Sequence, residues 1–83
     1  MVYNNFMRIH VSTIGSLVVQ LKNEASVGTI TIPEGLYAKD VLKLLGINTD
    51  FPLVVIINDE IKTKNTLLND DDTITFVPII GGG

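Results

Sequence analysis

The chain has 83 residues, 46% of them hydrophobic and 18% charged, so it holds apolar material for one compact core and no second domain. Its net charge of -3 comes with six scattered Lys and Arg, a poor match to nucleic acid, which rewards clustered cations. The absence of cysteine removes disulfides, thiolate ligands and thiol nucleophiles, and the lone His10 leaves too few ligands for a zinc site.

Residues Met1 to Phe6 carry neither the basic segment nor the apolar run of a secretion signal, and read as a loose lead-in to a cytoplasmic domain. From Met7 to Ser12 the residues alternate. Met7, Ile9 and Val11 share one face and Arg8, His10 and Ser12 the other, which predicts a half-buried strand. The stretch Gly15 to Glu24 fits a helix through Leu17 and Leu21 as well as a strand through Leu17-Val18-Val19, and its type stays open. A second strand, Thr29 to Ile32, stops at the turn Pro33-Glu34-Gly35.

Leu36, Val41, Leu44 and Leu45 then recur at helical spacing, and Gly46 is a natural stop, which predicts a helix from Ala38 to Leu45. Leu53 to Ile57, the longest uninterrupted apolar stretch, is far short of the ~20 residues of a membrane span. It reads instead as an interior strand covered on both faces. Asn58-Asp59-Glu60 is a turn, Ile61-Lys62-Thr63 a short edge strand, and Asn69 to Asp72 a solvated polar turn before a last strand, Thr73 to Val77. In that strand Ile74 and Phe76 face inward, leaving Val77 as an exposed apolar residue. The order of elements predicts an α+β domain, one helix on one mixed sheet, with the other sheet face open to solvent or a partner.

Pro78 to Gly83 reads as a flexible tail. Three consecutive glycines cost backbone entropy and bury nothing, so stability does not explain Gly81, Gly82 and Gly83. A backbone without Cβ can thread a narrow channel and present a terminal carboxylate to another protein's active site. Val77, Pro78, Ile79 and Ile80 would dock beside it. His10, beside Arg8 on the outer face and with no acid or nucleophile evident nearby, reads as a partner contact rather than a base. Asp70-Asp71-Asp72 lacks the spacing of a calcium loop.

The Pro-Glu-Gly turn, the helix, Asn58-Asp59-Glu60, Leu68-Asn69-Asp70-Asp71-Asp72 and the ending Val77-Pro78-Ile79-Ile80-Gly81-Gly82-Gly83 together resemble the MoaD and ThiS β-grasp sulfur carriers. The likeness spans about Met7 to Gly83. Two turns depart from the family pattern by placing Asp59 and Asp71 where it has Gly, a mild change because Asp tolerates the turn conformation. The resemblance implies a ubiquitin-like β-grasp fold of four to five strands and one main helix. It implies a protein substrate rather than an enzyme.

An ATP- and magnesium-dependent adenylating enzyme of the MoeB/ThiF kind would activate Gly83, and a sulfur donor would convert it to a thiocarboxylate. An acceptor enzyme, the molybdopterin synthase large subunit or thiazole synthase, would take the sulfur. The long connector from Ile14 to Gly28 favours the molybdopterin side slightly. A ubiquitin-like modifier or tRNA-thiolation carrier is the alternative among modifiers and carriers, and a non-catalytic β-grasp binding module the alternative of a different class. No cofactor is expected on this chain itself.

Overall fold

A computed structural model of the chain describes residues 5–13 and 28–79. The elements are β1 (Phe6–Thr13), β2 (Gly28–Pro33), α1 (Ala38–Leu45), β3 (Leu53–Ile57), β4 (Glu60–Lys62) and β5 (Thr73–Pro78). The strands form one mixed sheet in the order β2-β1-β5-β3-β4. β5 lies parallel to β1 and antiparallel to β3, with β2 and β4 as antiparallel edges. The expected β-grasp arrangement of one helix on five strands is therefore present, and the ambiguous stretch from Gly15 to Glu24 lies outside the described residues.

The alternation in β1 does what its period requires. Met7, Ile9 and Val11 are buried, and across from them Ile74 and Phe76 of β5 are completely so. Leu53, Val55 and Ile57 extend this inner face, and α1 covers it with Ala38, Val41, Leu42 and Leu45. Ile47, Leu68 and the partly buried Leu36 and Phe51 close the core around the helix.

The helix occupies the predicted residues for local reasons. Tyr37 is extended and offers no side-chain cap, but Asp40 reaches back to accept the Tyr37 N–H at 2.8 Å. The next free donors, the N–H groups of Ala38 and Lys39, go to the carbonyls of Thr66 and Lys64. Gly46 ends the helix at φ 82°, where its N–H and that of Ile47 meet the carbonyls of Lys43 and Leu42.

Several expectations are corrected. Phe6 belongs to β1 rather than to a lead-in, and Asn5 is held where its carbonyl accepts the Glu34 N–H. Pro78 is the last residue of β5 rather than the first of a tail. Leu44 is 54% exposed, and Leu42 takes the core position, because four apolar residues in the last five of the helix exceed one face. β3 is interior but covered on one face only, with Val54 and Ile56 half-buried on the other. β4 runs Glu60–Lys62, one residue earlier than predicted, because the loop is the two-residue turn Asn58-Asp59, both with positive φ.

The acidic turn is not simply solvated. Asp71 adopts φ 68°, the left-handed conformation that the family's Gly would take, whereas Asp72 is buried. The Asp72 carboxylate accepts hydrogen bonds from Asn58 Nδ2 and the Asn69 N–H, both at 2.8 Å, and so ties the β3–β4 hairpin to the turn before β5. Asp72→Ala should leave both donors without this acceptor and destabilise the fold by about 1–2 kcal/mol, measured as a lower urea midpoint at unchanged slope.

Candidate functional site

The C-terminal strand leaves the middle of the sheet beside the start of β3, which fixes the root of the tail. Pro78 sits opposite Leu53 and Val77 opposite Val54. One step on, the Ile79 N–H donates to the Pro52 carbonyl at 3.1 Å. The expectation of a flexible tail from Pro78 is corrected at its first two residues, which the sheet and Pro52 hold. Ile80, Gly81, Gly82 and Gly83 lie outside the described residues, and four residues of extended chain carry a carboxylate at most about 14 Å from that root.

Pro52 is itself positioned. Lys64 donates through Nζ to the carbonyls of Thr49 at 2.6 Å and Phe51 at 2.9 Å, so one ammonium holds the turn that leads into β3. Within it, Asn48 accepts the Asp50 N–H through its side chain and the Phe51 N–H through its carbonyl. This anchoring had no signal in the sequence, since Lys64 lies in a stretch with no periodic pattern.

Outward from the root, the sheet face away from the helix is apolar and uncharged over β5, β3 and β4. Val77 and Val54 form one cross-strand pair and Ile56 and Ile61 another, with Thr75 opposite Ile56. Ile61 is 77% exposed and Ile79 55%, both large apolar groups facing solvent. Val77 is half-buried rather than exposed, because Val54 flanks it. Sequence reasoning placed Val77 and Ile79 here but missed Val54, Ile56 and Ile61. The signal for the first two lay in the alternation of Leu53 to Ile57, hidden by the run being apolar throughout.

Arg8 and His10 lie on the same outer face but elsewhere. His10 pairs with Thr73 at the beginning of β5, about 16 Å along the strand from Pro78. Its Nδ1 lies 3.0 Å from Thr29 Oγ1 and its Nε2 3.5 Å from Asp71 Oδ1. A carboxylate is thus near His10 after all, because the turn folds back onto β1: the Asp71 N–H donates to the Arg8 carbonyl and Asp70 Oδ1 accepts the Arg8 N–H. Both partners are well exposed, so the contact is worth less than about 1 kcal/mol. It is remote from the tail root and serves the turn.

Among the described residues no three acidic or imidazole side chains converge as a metal site, and no helix is long and apolar enough to cross a membrane. What the described residues place at the tail root is an uncharged apolar face beside the end of β5.

A family model described as the ThiS family matches residues 17–83. No curated protein matches the sequence. The fold is similar to the solution structure of Urm1 from Trypanosoma brucei, with a TM-score of 0.62 over 96% of this chain and 99% of that one. At 19% identity this is a likeness of fold.

The geometry of the root is testable without any partner. Lys64→Met keeps the aliphatic stem but removes both donations, and should destabilise the chain by about 1–2 kcal/mol while speeding amide exchange at Ile79 more than at Ile74.

Proposed function

Since the chain belongs to the ThiS family, we propose that it is a ubiquitin-like sulfur carrier whose working group is the Gly83 carboxylate. The observation that carries the reading is the family match running through to Gly83, over an ending in register from Val77 onward. The fold supports it by holding the chain as far as Ile79 and placing an uncharged apolar face beside that point.

A carboxylate is a poor electrophile, because attack on it must expel oxide. A partner enzyme of the MoeB/ThiF kind, using ATP and magnesium, would join the Gly83 carboxylate to AMP and release pyrophosphate. The resulting mixed anhydride has a good leaving group. The terminal sulfur of a donor persulfide then displaces AMP, and a second thiol cleaves the acyl disulfide, leaving a thiocarboxylate on Gly83 and a disulfide elsewhere. The acceptor enzyme draws that sulfur into cofactor synthesis, as molybdopterin or as the thiazole of thiamin. This chain catalyses none of these steps. Val54, Ile56, Val77 and the exposed Ile61 and Ile79 form the surface that docks it on its partners, with Pro78 and Ile80 lining the entry of the tail and Arg8 and His10 as a second, outlying contact.

Incubation with ATP, a cognate adenylating enzyme and a sulfur donor should replace one oxygen by sulfur in the intact mass, and an unchanged mass would overturn the reading. Supplying each acceptor enzyme in turn identifies the pathway by which one regenerates the unmodified chain. Lysine adducts that survive thiol reductants would identify a protein modifier instead.

Two variants separate chemistry from docking. Deleting Gly83 should leave the urea midpoint unchanged and abolish adenylation. Ile61→Asp should change stability by no more than about 0.5 kcal/mol, because the side chain is exposed, yet raise the KM for adenylation about tenfold with little change in kcat.

A further inference from the structure

The last bond between β5 and its neighbour is half made. In the register that sets Pro78 opposite Leu53, Ile79 stands opposite Pro52. A hydrogen-bonded antiparallel pair exchanges two N–H···O=C bonds. Proline has no N–H to return, so Ile79 is held by the single bond it donates to the Pro52 carbonyl, at 3.1 Å. This is the last hold on the chain among the described residues.

A single bond to a loop carbonyl holds no better than the loop does. Here the loop is fixed from a distance. Lys64 Nζ donates to the carbonyls of Thr49 and of Phe51, the residue directly before Pro52. Charged donors make the stronger hydrogen bonds. Lys64 is in turn fixed through its backbone: its carbonyl accepts the Lys39 N–H in the first turn of α1, beside the bond from the Ala38 N–H to the Thr66 carbonyl. Ala38 is completely buried. The hold on Ile79 therefore runs back through Pro52, Phe51 and Lys64 to the start of the helix. The outer face is set differently, by the pairing of Val54 with Val77 and of Ile56 with Ile61. Docking and tail placement thus depend on separate contacts and can fail separately.

We propose that Lys64 is a positioning residue for the reaction at Gly83, which it serves by fixing Pro52 and so keeping Ile79 ordered before a partner arrives. The role rests on the sulfur-carrier reading above. Ordering the backbone of one residue changes an equilibrium by about a factor of ten. A partner that meets Ile79 already ordered does not have to supply that factor. Docking on the outer face precedes entry of the peptide end into the partner's active site, so the ordering counts toward kcat rather than KM. Lys64 acts only through Pro52 and Ile79.

The test uses the full chain with ATP and a cognate adenylating enzyme, followed by ATP–pyrophosphate exchange at a temperature where circular dichroism shows every chain folded. Lys64→Met should lower kcat about tenfold and leave KM within about twofold, the reverse of Ile61→Asp. A synthetic chain with the α-hydroxy analogue of isoleucine at position 79 keeps the side chain but replaces the N–H with oxygen. It should show the same loss of kcat, with Lys64 and the core untouched. Combined with Lys64→Met it should lose no more, because both changes remove one hold. An ester chain with unchanged kcat overturns the proposal, as does a Lys64→Met chain that matches the parent or differs in KM alone. So do losses that multiply to about a hundredfold, which would make Lys64 a general support of the fold. In each of these cases the parent is still adenylated and the sulfur-carrier reading stands. A parent chain that is not adenylated overturns that reading and this proposal together.

Discussion

Among the described residues one short helix covers the inner face of five strands, and much of their organisation follows from that mismatch. Eight helical residues are about 12 Å long, whereas five strands are about 19 Å across. The helix therefore spends all its buried positions on the centre, over Ile9, Ile74, Phe76 and Val55, and loop residues such as Ile47 and Leu68 fill in around it. The shortfall appears at the sheet's flanks. At β4 it is met with charge and brevity. At β2, among the described residues, it leaves an open groove beside Leu44.

The same arithmetic frees the other face. Among the described residues no element covers the outer positions, and they divide along the sheet. The β1–β2 half is mostly polar, through Ser12, His10, Thr29 and Thr31 with Phe6 exposed at its end, while the β5–β3–β4 half is mostly aliphatic. The aliphatic half adjoins the point where the chain leaves the sheet. Under the proposed function such a division would let one surface direct each partner to the same peptide end.

Much of this was readable in the residues, and the failures have identifiable causes. The helix was legible to the residue because its apolar spacing and Gly46 agree, and β1 because its alternation is strict. Leu42 and Leu44 were exchanged because a leucine-rich turn satisfies more than one helical face. β3 appeared doubly covered because every residue in it is aliphatic, and alternation cannot be seen without polar contrast. Asp70, Asp71 and Asp72 looked equivalent in sequence, yet one binds β1, one adopts a left-handed turn and one is buried as a clamp; composition cannot separate them. The parallel pairing of β1 with β5 and the Lys64 anchor depend on contacts distant in the chain, for which a single sequence carries no local mark. The glycine ending, on which the proposed function rests, lies outside the described residues, as do residues 1–4 and 14–27.

The position of β5 bears on how the protein is made. It is the last described strand and the middle strand of the sheet, so Val11 waits for Ile74, and Val55 for Phe76, until Thr73 to Pro78 have been made. Contacts this distant close late and slowly. A nascent chain interrupted before Thr73 has the helix and both edge hairpins but nothing to join them, and exposes its core to cellular proteases. The fold therefore closes only with the strand from which the proposed working end grows.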